Sequence, residues 1–186
     1  MTDIKRAQDN AENNELIDIA AFIEETKHQI FNGNIAKAKN LGSSIVSSFS
    51  YKDAPDYILS RAAEAGFAVT ADILLQIKIL SVFCAEYAMN KFLRSSTLAA
   101  VAVSEFYSVL EGMYPDLYAG LSKTSFFAFY HYYSTRREEG FAQKIGEQFA
   151  AACCAAGNER ISDFGEWLFE YNTELYKTAF IAYGFI

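Results

Sequence analysis

Two histidines and three cysteines limit the side-chain chemistry open to this chain. Glu25 and His28 stand three residues apart, the spacing by which di-iron and di-manganese helical bundles hold their ions. Such a site needs two of these pairs and two further carboxylates. The other histidine, His131, has Ala128 three residues before it, so no second pair forms. His-Glu-x-x-His and Cys-x-x-Cys are absent as well. The expectation is therefore no metal site and no cofactor.

A cysteine nucleophile needs a neighbouring base to make thiolate. Cys153 and Cys154 lie in an alanine-rich run (150–156), and Cys84 lies inside an apolar helix; both settings suggest inert thiols. Gly-x-Ser-x-Gly, a P-loop and a dinucleotide fingerprint are missing. Leu41-Gly42-Ser43-Ser44 is too short to cradle phosphates. Three acids in apolar company, Asp72, Glu86 and Glu105, are the candidates for proton transfer. A cleft gathering His28 or His131 with two or more acids would mark an enzyme. Without one, the chain leans away from catalysis.

The sharper signal is aromatic. Phe126, Phe127, Phe129, Tyr130, Tyr132 and Tyr133 fall within one helix and cover roughly 220° of its circumference, with Ala128 and His131 in the gap. Rings in this number fill a core layer, with tyrosine hydroxyls at its boundary. The alternative is an aromatic-lined pocket for a flat or apolar ligand. Its candidate binding residues are Tyr107, Tyr114, Tyr118, Tyr130, His131 and Tyr133.

Helices must position these groups. No stretch alternates apolar and polar residues, whereas helical spacing recurs nearly everywhere. The pattern gives helices over about 15–31, 34–49, 55–65, 71–93, 97–113, 115–122, 125–138, 140–156 and 163–183. Asn34, Asp53, Thr70, Ser95 or Ser96, Thr124 or Ser125, and Ser162 are the candidate N-terminal caps. Asn32-Gly33, Gly66 and Gly157-Asn158 are the stop signals. The class is all-α: a single-domain bundle of about seven to nine helices. Residues 1–14 read as an acidic leader, and 15–186 as one helical domain.

The 71–93 helix reads as the centre of the bundle. Its polar residues Asp72, Gln76, Glu86, Asn90 and Arg94 fall within roughly 80° of arc, and the rest is mainly apolar. Ile79 and Phe83 interrupt that polar stripe, so either another helix of the chain or a partner covers them. The C-terminal run ending in Phe185 and Ile186 is sticky and must dock in the fold or on a partner. Ile79, Phe83, Phe185 and Ile186 are thus the candidate interface residues. In the 140–156 helix, Ala142, Gly146 and Ala150 make a lane of small residues for a close crossing, best supplied by the same chain. In the last helix, Glu166, Glu170 and Glu174 align as a solvated acidic row.

The 186 residues are 52% hydrophobic and 16% aromatic, which is ample for a core, and they carry a net charge of −7. That charge disfavours nucleic acid, which selects clustered Lys and Arg. No apolar run is long enough to span a membrane, no signal peptide opens the chain, and an odd cysteine count fits a reducing cytosol. The leading functional expectation is a non-enzymatic, self-associating or protein-binding helical module. The alternative is a binder of a small apolar or aromatic ligand.

Overall fold

A computed structural model gives the fold and describes residues 21, 23–48, 55–136 and 140–185. Among the described residues every regular element is a helix. In chain order they are α1 (residues 23–31), α2 (Asn34–Ser48), α3 (Asp56–Glu64), α4 (Ala71–Phe92) and α5 (Ser96–Met113). Then come α6 (Pro115–Leu121), α7 (Ser125–Arg136), α8 (Phe141–Ala152) and α9 (Glu159–Ala182). The all-α expectation holds. The acidic leader, the Asp53 cap and Ile186 lie outside the described residues.

The caps explain most boundaries. Thr70 Oγ1 accepts from the Ile73 amide at 3.3 Å, and Ser95 Oγ accepts from the Leu98 amide at 3.4 Å. Gly66, at φ +81°, ends α3 in the left-handed conformation that glycine adopts freely. Three expectations need correction. Asn34 begins α2 as a helical residue, and its side-chain Nδ2 donates to Gln29 Oε1 at 2.7 Å. The eighth helix stops at Ala152, short of Gly157-Asn158. There the Ala155 amide bonds the Ala150 carbonyl and the Cys154 amide bonds the Ala151 carbonyl, with Cys154 at φ +56°. This is the left-handed C-terminal closure, built on a cysteine instead of a glycine. Asn158, not Ser162, then caps α9: its Oδ1 accepts from the Arg160 and Ile161 amides at 3.1 and 3.4 Å. At 24 residues, α9 exceeds the 22 of α4.

The core is organised around α4, which packs against α5, α6, α7, α8 and α9. Every residue from Ile79 to Ala85 is buried, so that stretch is enclosed on all sides. Polar groups lock it to α9. Asn172 Nδ2 donates to Ser81 Oγ at 3.1 Å, and the Tyr176 hydroxyl donates to the Ser81 carbonyl at 3.3 Å. Glycines set the two closest crossings. A Cβ on Gly42 would stand 2.4 Å from the Ala102 carbonyl of α5, and one on Gly146 would stand 2.3 Å from the Ser162 carbonyl of α9. The small-residue lane of α8 therefore serves a crossing inside the chain.

That packing also answers what covers the gap in the α4 polar stripe. Ile79 and Phe83 are 2% and 1% exposed within the single chain. Phe83 meets Phe127, Tyr130 and His131 of α7 and Phe169 of α9, with ring centroids 5.3–6.5 Å apart. Neither side chain is open to a partner. Phe185 is also taken up by the fold: its amide bonds the Phe180 carbonyl, and its ring packs on the core. By contrast Ile23 and Ile30 of α1 stand exposed.

Candidate functional site

One face of α4 carries Phe83, Glu86, Tyr87, Asn90 and Lys91, spaced i, i+3, i+4, i+7 and i+8. The facing side of α7 carries Phe127, Tyr130, His131 and Ser134 with the same rhythm, i, i+3, i+4 and i+7. Each helix so presents one stripe to the other. The rings fill the seam at its deep end. At its shallow end the helices leave a half-open cleft of about 470 Å³, lined by Phe83, Tyr87, Asn90, Lys91, His131 and Ser134. That volume falls in the range of small-molecule sites.

The polar core of this region is Glu86. Its Oε2 accepts a short hydrogen bond from the Tyr107 hydroxyl of α5. His131 Nε2 lies 3.5 Å from the same oxygen, a loose ionic contact rather than a well-formed hydrogen bond. Burial raises the Glu86 pKa. The bonding contacts from His131 and Tyr107, with the His131 charge, outweigh burial and hold the carboxyl below its ordinary value. Glu86 is therefore ionised at neutral pH. The His131 ring stands edge-on to Phe83 and Phe127, 5.3 and 4.8 Å between centroids, which fixes its plane at the cleft wall.

Lys91 supplies a cationic group. Its Nζ sits over the Tyr87 and Phe92 rings, 5.3 and 5.2 Å from their centroids, and meets no carboxylate among the described residues. Ser134 Oγ donates to the His131 carbonyl at 2.8 Å, leaving its lone pairs as acceptors. Asn90 is exposed beside them and offers both a donor and an acceptor. The cleft thus combines aromatic walls with an ammonium, an imidazole, an amide and a hydroxyl. It can stack a flat ring and grip an anionic group on that ring.

The six expected ligand residues do not line one pocket. His131 lines the cleft, and Tyr107 supports it from behind through Glu86. Tyr118 packs on Tyr107, 6.2 Å between centroids. Tyr130 is fully buried in the core. Its hydroxyl has no hydrogen-bond partner among the described residues, and burial pushes its pKa far above the ordinary range. Tyr133 faces α8, with Lys144 Nζ 5.7 Å from its ring centroid. Tyr114 lies at the α5–α6 junction, in a separate groove with Leu75 and Met113. Two aromatic side chains expected to be covered, Phe129 and Tyr132, stand exposed on α7.

The remaining chemistry-bearing residues disperse. Glu25 accepts from Ser95 Oγ, while His28 turns toward the Asn32 amide, so the Glu-x-x-His pair does not converge. Asp72 is exposed, and Glu105 accepts from Ser43 Oγ at 3.2 Å. No group of three or more His, Cys, Asp and Glu side chains fit to hold a metal occurs among the described residues. His131 meets one acid in the cleft region rather than two. Among the described residues, no helix is long and apolar enough to cross a membrane.

Lys91, Tyr87, Asn90 and Ser134 were not apparent as site residues from the sequence. The matching i, i+3, i+4, i+7 stripes on α4 and α7 were the available signal. No family model, no curated protein and no solved structure matches this chain.

Proposed function

We propose that this protein is a helical binding module for a small planar aromatic ligand carrying an anionic group, held in the α4–α7 cleft. The observation that carries this reading is the Lys91 ammonium, which has no carboxylate partner among the described residues, placed over an aromatic wall and across from the Glu86-braced His131. The ligand's ring stacks on Tyr87 and His131, and its anionic group meets Lys91 and the Asn90 side-chain amide. Burying a carboxylate against a cation and hydrogen-bond donors favours it over a neutral ring of the same size. The three free thiols suit a reducing cytosol.

Isothermal titration with naphthoate and with the neutral naphthalenemethanol tests this. Naphthoate should bind with Kd below about 1 mM, and the alcohol about tenfold more weakly. Lys91→Ala should remove that preference while leaving the fold intact, because Lys91 is exposed. Equal binding of acid and alcohol, or no heat from either, would overturn the reading.

A further inference from the structure

A second surface lies on α9, independent of the α4–α7 cleft. A shallow groove of about 420 Å³ runs along it, lined by Trp167, Glu170, Tyr171, Glu174, Leu175 and Thr178. Tyr171 and Leu175 are 39% and 37% exposed, and Trp167 is half-buried. On a helical wheel Trp167, Tyr171, Leu175 and Thr178 form one lane, and Glu166, Glu170 and Glu174 form the lane beside it. This is an amphipathic edge with apolar and acidic tracks in parallel, three turns long.

The acidic track carries mostly uncompensated charge. Glu174 meets Lys177 at 3.0 Å, whereas Glu166 and Glu170 have no cationic partner among the described residues. Partial burial and then the neighbouring Glu170, Asp163 and Glu147 raise the Glu166 pKa, the sign of a local field of like charge. At the Trp167 end, the Arg61 guanidinium lies 5.6 Å from the indole ring and is itself paired with Glu64 at 3.1 Å. That end is closed to a further cation, and the open track runs from Glu170 toward Thr178.

We propose that this face docks a basic amphipathic helix from a different protein. Its apolar residues lie along Trp167, Tyr171 and Leu175, and its Lys or Arg residues, four apart, lie along Glu170 and Glu174. Two parallel tracks at helical spacing match the apolar and charged faces of one such helix. A second copy of this chain is the wrong occupant. It would set one acidic row against another, in a protein whose net charge is already −7.

Trp167 is the sole tryptophan, so its emission reports the groove directly. The full chain is titrated with a synthetic tryptophan-free Leu/Lys helix of about 18 residues. The expected result is a saturable blue shift of Trp167, weakened at least about tenfold by Glu170→Lys with Glu174→Lys, and weakened again by raising salt. The same peptide with Glu in place of Lys should not bind. Glu170→Gln with Glu174→Gln serves as a milder variant, and should weaken binding in the same direction. Unchanged Trp167 emission overturns the proposal, as does affinity indifferent to these substitutions. A concentration-dependent dimer that shifts Trp167 without peptide assigns the face to a second copy and also overturns it.

Discussion

The hydrogen bond from Tyr107 to Glu86 gives a direct test of how the cleft is braced. Tyr107→Phe removes one hydroxyl and leaves the ring packing on Phe106 and Tyr118 in place. What is lost is a hydrogen bond to an ionised, largely buried carboxylate, a class worth about 1.5–3 kcal/mol. We expect about 2 kcal/mol of destabilisation near neutral pH, a fall in melting temperature of roughly 4–8 °C for a chain of this size. The effect must depend on pH. The folded Glu86 pKa is depressed below the ordinary 4.5, so its ionisation contributes stability above that value and loses it as pH falls through the folded pKa. Removing Tyr107's hydroxyl leaves burial less opposed, so the Glu86 pKa rises and this contribution shrinks. The gap between wild type and variant should therefore narrow toward about 1 kcal/mol in acid, where a neutral hydrogen bond is all that remains to lose. Urea unfolding at a series of pH values measures both quantities, provided the slope with denaturant is unchanged. A gap under about 0.5 kcal/mol at neutral pH, or one that does not change with pH, would refute the reasoning.

Gly146→Ala should destabilise by about 1–3 kcal/mol, because the new Cβ meets the Ser162 carbonyl at 2.3 Å and backbone must shift. Gly120→Ala, with open space around its Cβ, should instead gain up to about 1 kcal/mol from helix propensity; thermal unfolding compares the two. Thiol labelling under native conditions should modify Cys154 first, since it is exposed. Cys153 should follow slowly, its pKa pushed up to about 12 by burial and then by Cys154, and Cys84 only on unfolding, its pKa raised further still by complete burial. Peptide mapping after timed labelling gives the order, and early labelling of Cys84 would contradict the buried α4.

Much of the fold was legible because one signal, the 3.6-residue period, governs every described element. The central position of α4 followed from the narrow arc of its polar residues, and Thr70 and Ser95 announced their helix starts. Where local chemistry departed from the common pattern, the sequence misled. Cys154 occupies the left-handed position that glycine usually marks, so the glycine signal falls late, at Gly157, and hides Asn158 as the α9 cap. The site was legible in fragments. Tyr107 and His131 are part of it, but six candidates chosen by residue type scattered over four environments. Glu86, a candidate acid on the polar stripe of α4, is clasped by residues 21 and 45 positions away. Helical periodicity sets which face of a helix is apolar; it does not set which other helix that face meets. For the same reason Phe83 pointed to a cover without saying that α7 and α9 supply it.

The account turns on the α4–α7 cleft as a site for planar aromatic anions, and chemical-shift mapping addresses it most directly. Protein with isotope-labelled Tyr, His and Lys side chains is titrated with naphthoate. The account predicts saturable shifts at Tyr87, His131 and Lys91 that share one binding curve, with Tyr171 on α9 unmoved. The absence of saturable shifts at those three residues, or shifts centred on Tyr171, would contradict it.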